Sequence, residues 1–189
     1  MTNIFVDIIK KAVYVLISPK EMYERAERDY ASNQYLTVYV GLLSIIPAIF
    51  LFLSLSLIST PSGLTLVITA RTIIIPLVFL LSLPLILWIV SYFLRFFAER
   101  FHSRSELNAS MKVVSYALTP ILISPLFSPI PLLNIMMSFF LIIYSILLFI
   151  MGIRYILRPK AKPLFLYLIS VLIYLFFLLL DGYLLDILQ

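Results

Sequence analysis

"VVSYALTPILISPLFSPIPLLNIMMSFFLIIYSILLFIMGI", Val113 to Ile153, contains no Asp, Glu, Lys, Arg or His. As one helix at ~1.5 Å per residue it would measure roughly 60 Å, about twice the ~30 Å of hydrocarbon in a bilayer. It must therefore fold back on itself. The turn falls in "SPLFSPIP", Ser124 to Pro131, because closely spaced prolines remove helical N–H donors and push the preceding residues out of the helical region. Two spans result, about Met111 to Pro125 and Leu132 to Ile153.

The rest of the chain reads in the same way. It has 189 residues, of which 63% are hydrophobic and 12% charged, and a mean hydropathy of +1.12, which leaves too little polar surface for a water-soluble domain. In hydrocarbon every backbone polar group needs an internal partner, and these runs are too long for strands and do not alternate in polarity. The expected fold is all-α: a polytopic integral membrane helical bundle with five transmembrane helices and an N-terminal amphipathic, interfacial helical head. Val38 to Ile58 is the first span and Thr72 to Leu94 the second, separated by the turn residues "STPSG" (Ser59 to Gly63) and by "LTLVITA", which is too short to cross. Pro163 to Leu185 is the fifth. Two units follow, a cytoplasmic head over 1–36 and a five-span membrane domain over 37–189.

The charges orient this arrangement. Of the 14 Lys and Arg, only Arg71 falls between spans one and two. The other thirteen lie in the head or in the loops on the head's side, which the positive-inside rule makes cytoplasmic. A multi-pass cell-membrane protein is expected, with the N-terminus inside and the C-terminus outside. The net charge of +5 then reports loops facing the cytoplasm, and no nucleic-acid partner is implied. Asp7, Lys10 and Lys11 interrupt the first apolar run, so the opening residues do not read as a signal peptide.

Within the head, Ile4, Phe5, Ile8, Ile9, Ala12, Val13, Leu16 and Ile17 recur at helical spacing, opposite Asp7, Lys10, Lys11 and Tyr14. This is an amphipathic helix. Two readings stand: it lies in the inner headgroup layer with Lys10 and Lys11 on anionic lipid, or its apolar face packs on the bundle. Ser18, Pro19 and Glu21 then predict a capped second helix, Ser18 to Arg28, exposed to cytoplasmic water. Lys10 and Lys11, with Arg154, Arg158, Lys160 and Lys162 of the last cytoplasmic loop, form the expected lipid-headgroup contacts.

The order of features resembles the Yip1 family. The third-span segment "VVSYALTPILI" (Val113 to Ile123) is similar to that family's Tyr-Ser-Leu-x-Pro region, with Tyr116 and Pro120 at the corresponding positions. The head's "SPKEMYERA" is similar to the Pro-x-x-x-aromatic segment of prokaryotic members. The resemblance implies a prokaryotic Yip1-type integral membrane protein. The Asp-Leu-Tyr-Gly-Pro segment of eukaryotic members is missing, so their association with Rab-type GTPases is not carried over.

Few residues suggest chemistry. There is no Cys, hence no disulfide, thiol nucleophile or Fe–S cluster, and the one His, His102, sits in a loop with no metal-ligand spacing around it. The serines within spans have no acid or base at span depth and read as donors to helix carbonyls. No catalytic, cofactor-binding or metal residue is expected, and no cofactor. Pro47, Pro76, Pro84 and Pro120 lie inside spans and free carbonyls there, as the broken spans of transporters do. Arg71 and Asp181 border the outer face, where they form an ion pair or reach water separately. The leading expectation is a non-enzymatic membrane-organising or trafficking-like protein whose partners are membrane lipids and another membrane protein or a second copy. The alternative is a small transporter, or the substrate-binding subunit of one, using the proline-broken spans.

Overall fold

The structure is a computed structural model that describes residues 4–28, 31–60, 63–159 and 163–188. The head forms two helices, α1 (Ile4–Ile17) and α2 (Pro19–Arg28). Ser18 is the break between them. Its N–H donates to the Tyr14 carbonyl at 2.9 Å and closes α1, while its carbonyl accepts from the Met22 N–H at 3.0 Å and opens α2. Pro19 has no N–H to lose at the first helical position. Glu21 does not complete the expected capping box, because the Ser18 N–H is already taken; it accepts the Tyr14 hydroxyl across the break.

Helix α3 (Asn33–Ser56) starts where the Ser32 side chain accepts the Tyr35 N–H at 3.1 Å. It runs into a two-stranded antiparallel hairpin, β1 (Leu57–Thr60) and β2 (Gly63–Leu66), in which Leu57 faces Leu66 and Thr60 faces Gly63. The first span therefore ends two residues earlier than expected, and part of "LTLVITA" becomes a strand. The reason is local: the β-branched residues around the turn favour a pleated pair, and pairing satisfies backbone groups that a stretch too short to cross would leave open. Thr69 and Thr72 then cap α4 (Ala70–Arg100) reciprocally. At 31 residues this helix exceeds a hydrocarbon layer, and Arg95 and Arg100 lie exposed on its last turns.

Helix α4 stops at His102, which has φ 54°. The His102 N–H reaches the Glu99 carbonyl at 3.3 Å and the Ser103 N–H reaches Ala98 at 2.9 Å, the two bonds of a Schellman stop that ordinarily uses glycine. Helix α5 (Leu107–Ile123) follows, then a 3-10 turn (Ser124–Phe127) at the expected proline cluster, α6 (Pro131–Gly152), a π turn (Ile153–Leu157) and α7 (Pro163–Leu188).

The expected count of five spans is not matched to the letter. Four segments are long and apolar enough to cross: Asn33–Ser56, Ala70–Arg100, Leu107–Phe127 and Leu132–Leu157. The apolar stretch described in α7, Leu164–Leu180, is shorter, although the helix itself runs from Pro163 to Leu188, 26 residues.

Helix α5 is the centre of the bundle. Every residue from Ala109 to Pro120 is buried, enclosed by α3, α4, α6 and, on its remaining side, α1. Helix α7 lies outside against α4, with Phe93 and Phe177 rings 6.0 Å apart, and touches α6 where Tyr174 stacks on Phe149 at 4.5 Å. One end of the bundle carries the head, the α4–α5 loop and the close of α6. The opposite end carries the hairpin and the 3-10 turn.

Candidate functional site

The two family-like segments meet in space. Tyr23, the aromatic of the head's Pro19-x-x-x-aromatic segment, packs edge-on against Tyr116 of α5 with ring centroids 6.0 Å apart. Tyr39 of α3 meets the same Tyr116 ring from another side at 5.6 Å, nearly perpendicular, and its hydroxyl bonds the Thr119 hydroxyl at 2.9 Å. All three rings are fully buried. Edge-to-face pairs of this kind add about 0.5–1.5 kcal/mol each beyond their burial. Gly152 makes the approach possible: a Cβ there would lie 2.8 Å from Val113 Cγ1 and 3.0 Å from Tyr23 Cε1. The Tyr23 hydroxyl has no hydrogen-bond partner among the described residues, and burial pushes its phenol well above the usual range, so the ring stays neutral.

Pro120, one turn beyond Tyr116, cannot donate to the Tyr116 carbonyl. A side-chain bond reinforces the helix beside this gap. Ser145 of α6 donates to the Ala117 carbonyl at 2.6 Å. A hydroxyl has a single proton, so in the Ser145–Tyr174 contact the tyrosine is the donor, and α5, α6 and α7 are joined in one chain.

Polar contacts fasten the head beneath this cluster. Lys112, counted as a loop charge in the sequence, lies inside α5 with 5% exposure and donates from Nζ to the Ala26 carbonyl at 2.9 Å. A cation there suits the negative end of the α2 dipole. Asn108 donates to the Ala31 carbonyl and to Asn33 Oδ1, and Arg158 pairs with Glu27 at 2.6 Å. The expectation that α2 stands free in water is therefore corrected: Met22, Tyr23 and Ala26 are buried, while Lys20, Glu21, Glu24, Arg25 and Arg28 remain exposed. Periodicity alone could not tell a solvated helix from one with three buried positions.

Helix α1 also docks. Ile8, Ala12 and Val15 are buried, the Tyr35 hydroxyl donates to Asp7 at 2.7 Å, and the Tyr144 hydroxyl donates to the Leu16 carbonyl at 2.7 Å. Tyr144 lies two turns along α6 from Gly152, about 12 Å of rise, whereas Tyr23 packs at Gly152 itself. The Ser18–Pro19 apex of the head thus leans up along the bundle, away from its end. A second face of α1 stays open: Phe5, Ile9, Val13 and Ile17, four residues apart in turn, are exposed, Ile17 by 74%.

The expected headgroup residues divide. Lys10 is exposed and, with Lys11, Tyr14, Met22, Arg25 and Ala26, lines a pocket of about 360 Å³ between α1 and α2. Lys11 pairs with Asp7 at 3.6 Å and sits 4.5 Å over the Tyr35 ring. Arg154 is exposed at the close of α6. Arg158, in the left-handed region at φ 47°, is committed to Glu27. Lys160 and Lys162 lie outside the described residues. At the hairpin end Arg71 is exposed in the first turn of α4, and its expected pairing with Asp181 falls on a side chain outside the described ones.

Pro47, Pro76, Pro84 and Pro120 sit inside α3, α4 and α5. Pro76 helps to line a groove of about 310 Å³ between α3 and α4 whose other walls are Ile45, Ala48, Ile49, Phe52, Ile73, Leu77 and Leu80. All of these are apolar. Ser44, Ser56, Ser82 and Ser115 donate to carbonyls of their own helices, as the sequence suggests. Asn108 and Gly152 were not singled out from the sequence; Tyr14 was placed on the polar face of α1, Arg25 one turn beyond Glu21 and Lys112 among the loop charges, each without the contacts it makes.

A helical bundle with four segments long and apolar enough to cross and a docked two-helix head defines a multi-pass membrane protein. The Yip1 domain model matches residues 13–181, most of the chain, and the chain belongs to the Yip1 family. Neither a curated protein nor a solved structure matches it.

Proposed function

We propose that this Yip1-family protein is a non-enzymatic organiser of the membrane that acts through lipid and protein contacts at its head end, with that end in the cytoplasm of a cell-membrane protein and the C-terminus outside. The supporting observation is the double-sided α1. One apolar face, Ile8, Ala12 and Val15, is held by the bundle, and a second, Phe5, Ile9, Val13 and Ile17, is exposed. An exposed apolar stripe next to cations suits the headgroup–acyl boundary of a single leaflet. Because α1 is fastened to α5 and α6, lipid displaced by the stripe is displaced at a fixed place beside the bundle.

The transporter alternative would draw on the four prolines. The groove beside Pro76 has only apolar walls, and the bundle centre at Tyr116, Leu118 and Met111 is filled, so lipid and protein contact is the better supported reading. The chain has no Cys, so single labels are simple to place. An environment-sensitive probe on Val13→Cys, in the full chain reconstituted in phosphatidylcholine, should be quenched by lipids carrying a shallow quencher and protected from aqueous iodide. A probe on Lys20→Cys should show the reverse. Equal iodide quenching at both positions would reject the reading.

A further inference from the structure

We infer that the pocket between α1 and α2 binds one anionic glycerophospholipid, its phosphate between Lys10 and Arg25 and its acyl chains along the exposed stripe of α1. This deepens the lipid-contact reading and rests on it. Three cations line the pocket, Lys10, Lys11 and Arg25, over a floor of Met22 and Ala26, and no carboxylate lines it among the described residues. The neighbouring acids are already engaged. Asp7 takes Lys11 and the Tyr35 hydroxyl, and Glu21 takes the Tyr14 hydroxyl. Arg25 is held 4.8 Å over the Tyr14 ring, which fixes the guanidinium without neutralising it. The pocket is thus preset for one phosphate anion, with a planar donor on one side and an ammonium on the other.

The source of that phosphate follows from what surrounds it. Around α1 the buried face comes first, then the exposed apolar stripe, then Lys10, Tyr14, Asp7 and Lys11. Lys10 therefore borders the stripe next to Val6 and Ile17, both exposed. A soluble anion would gain nothing from this neighbour. An amphiphile gains twice, since its charge meets Lys10 and Arg25 while its chains cover Val13 and Ile17. Lys112 and the Arg158–Glu27 pair hold α2 in register, so the two walls keep their spacing without a ligand.

The test uses the purified full chain in a neutral detergent, titrated with dioctanoyl phosphatidylglycerol or dioctanoyl phosphatidylcholine and read by native mass spectrometry. One phosphatidylglycerol should bind in preference to phosphatidylcholine. Lys10→Gln with Arg25→Gln should weaken it by roughly 30-fold at low salt, the effect of two cations near anionic lipid. Lys20→Gln, which removes an exposed cation outside the pocket, should change little, and Lys10→Arg with Arg25→Lys should retain binding. Equal affinity for the two lipids, an equal loss with Lys20→Gln, loss in the charge-conserving variant with its thermal midpoint unchanged, or displacement by inorganic phosphate at the lipid's own concentration would each overturn the proposal. The Val13 probe is read in neutral lipid and does not depend on the pocket. A protected Val13 with no phosphatidylglycerol preference would therefore reject this inference and leave the broader reading standing.

Discussion

The head end and the hairpin end of the bundle are built on different terms. At the head end α5 is enclosed on all sides, three tyrosines meet edge to face, and Lys112, Asn108 and Tyr144 each reach across from one element to another. At the hairpin end Leu132, Ile135, Met136, Phe139 and Phe140 of α6 are exposed, and the Asn134, Ser138 and Ser124 side chains bond one another around the turn. Lipid is an adequate neighbour for the second set and an inadequate one for the first. Apolar side chains gain no hydrophobic driving force by packing on each other in hydrocarbon, whereas polar groups there must find specific partners. The head end is consequently specified by geometry, and the hairpin end by composition.

The largest test of this contrast is all-or-none. If the two ends face opposite sides of the membrane, an impermeant thiol reagent applied outside intact cells should label Ser62→Cys and Gln189→Cys but not Ser103→Cys. Labelling of Ser103→Cys with protection of the other two would invert the orientation. Next in size is the difference between a core ring and a lipid-facing side chain. Tyr116→Ala should lower stability by about 3 kcal/mol or more, the usual cost of emptying an aromatic site. Ile135→Ala, 69% exposed, should cost no more than about 0.5 kcal/mol. Thermal unfolding in one detergent measures both, and comparable losses would end the distinction.

Gly152→Ala sharpens the contrast at its tightest contact. The added methyl meets Val113 and Tyr23, and overpacking of this kind costs about 1–3 kcal/mol. Because Tyr23 is the element able to retreat, trypsin should cut at Arg25 and Arg28 faster than in the parent chain; unchanged cleavage would mean that the head is not held through this contact. The smallest effect is a gain. His102→Gly removes a side chain from the left-handed region at the end of α4 and should stabilise by about 1 kcal/mol. A loss instead would give the imidazole a role beyond ending the helix.

Much of the architecture was legible in the chain because its causes are local. The charge-free run from Val113 to Ile153 had to turn at its prolines, Pro19 had to end one helix and begin another, and the Lys and Arg had to gather at one end. The hairpin after Ser56 was half legible, as a turn without its strands, since short apolar stretches serve strand and helix equally. Pro19-x-x-x-Tyr23 and Tyr116 with Pro120 could each be picked out as a segment. Nothing in either segment says that they touch.

That meeting, and with it the docked head, was decided by tertiary structure alone. Tyr23 finds Tyr116 across about half the chain, Lys112 caps Ala26, Arg158 pairs with Glu27, and Gly152 leaves the space that admits the Tyr23 ring. Helix periods, proline breaks and charge asymmetry follow from bonds between residues a few positions apart, so the sequence by itself determines them. A contact between distant segments depends on which faces the bundle brings together, and a lysine read as a loop charge becomes a buried helix cap only when another helix ends above it.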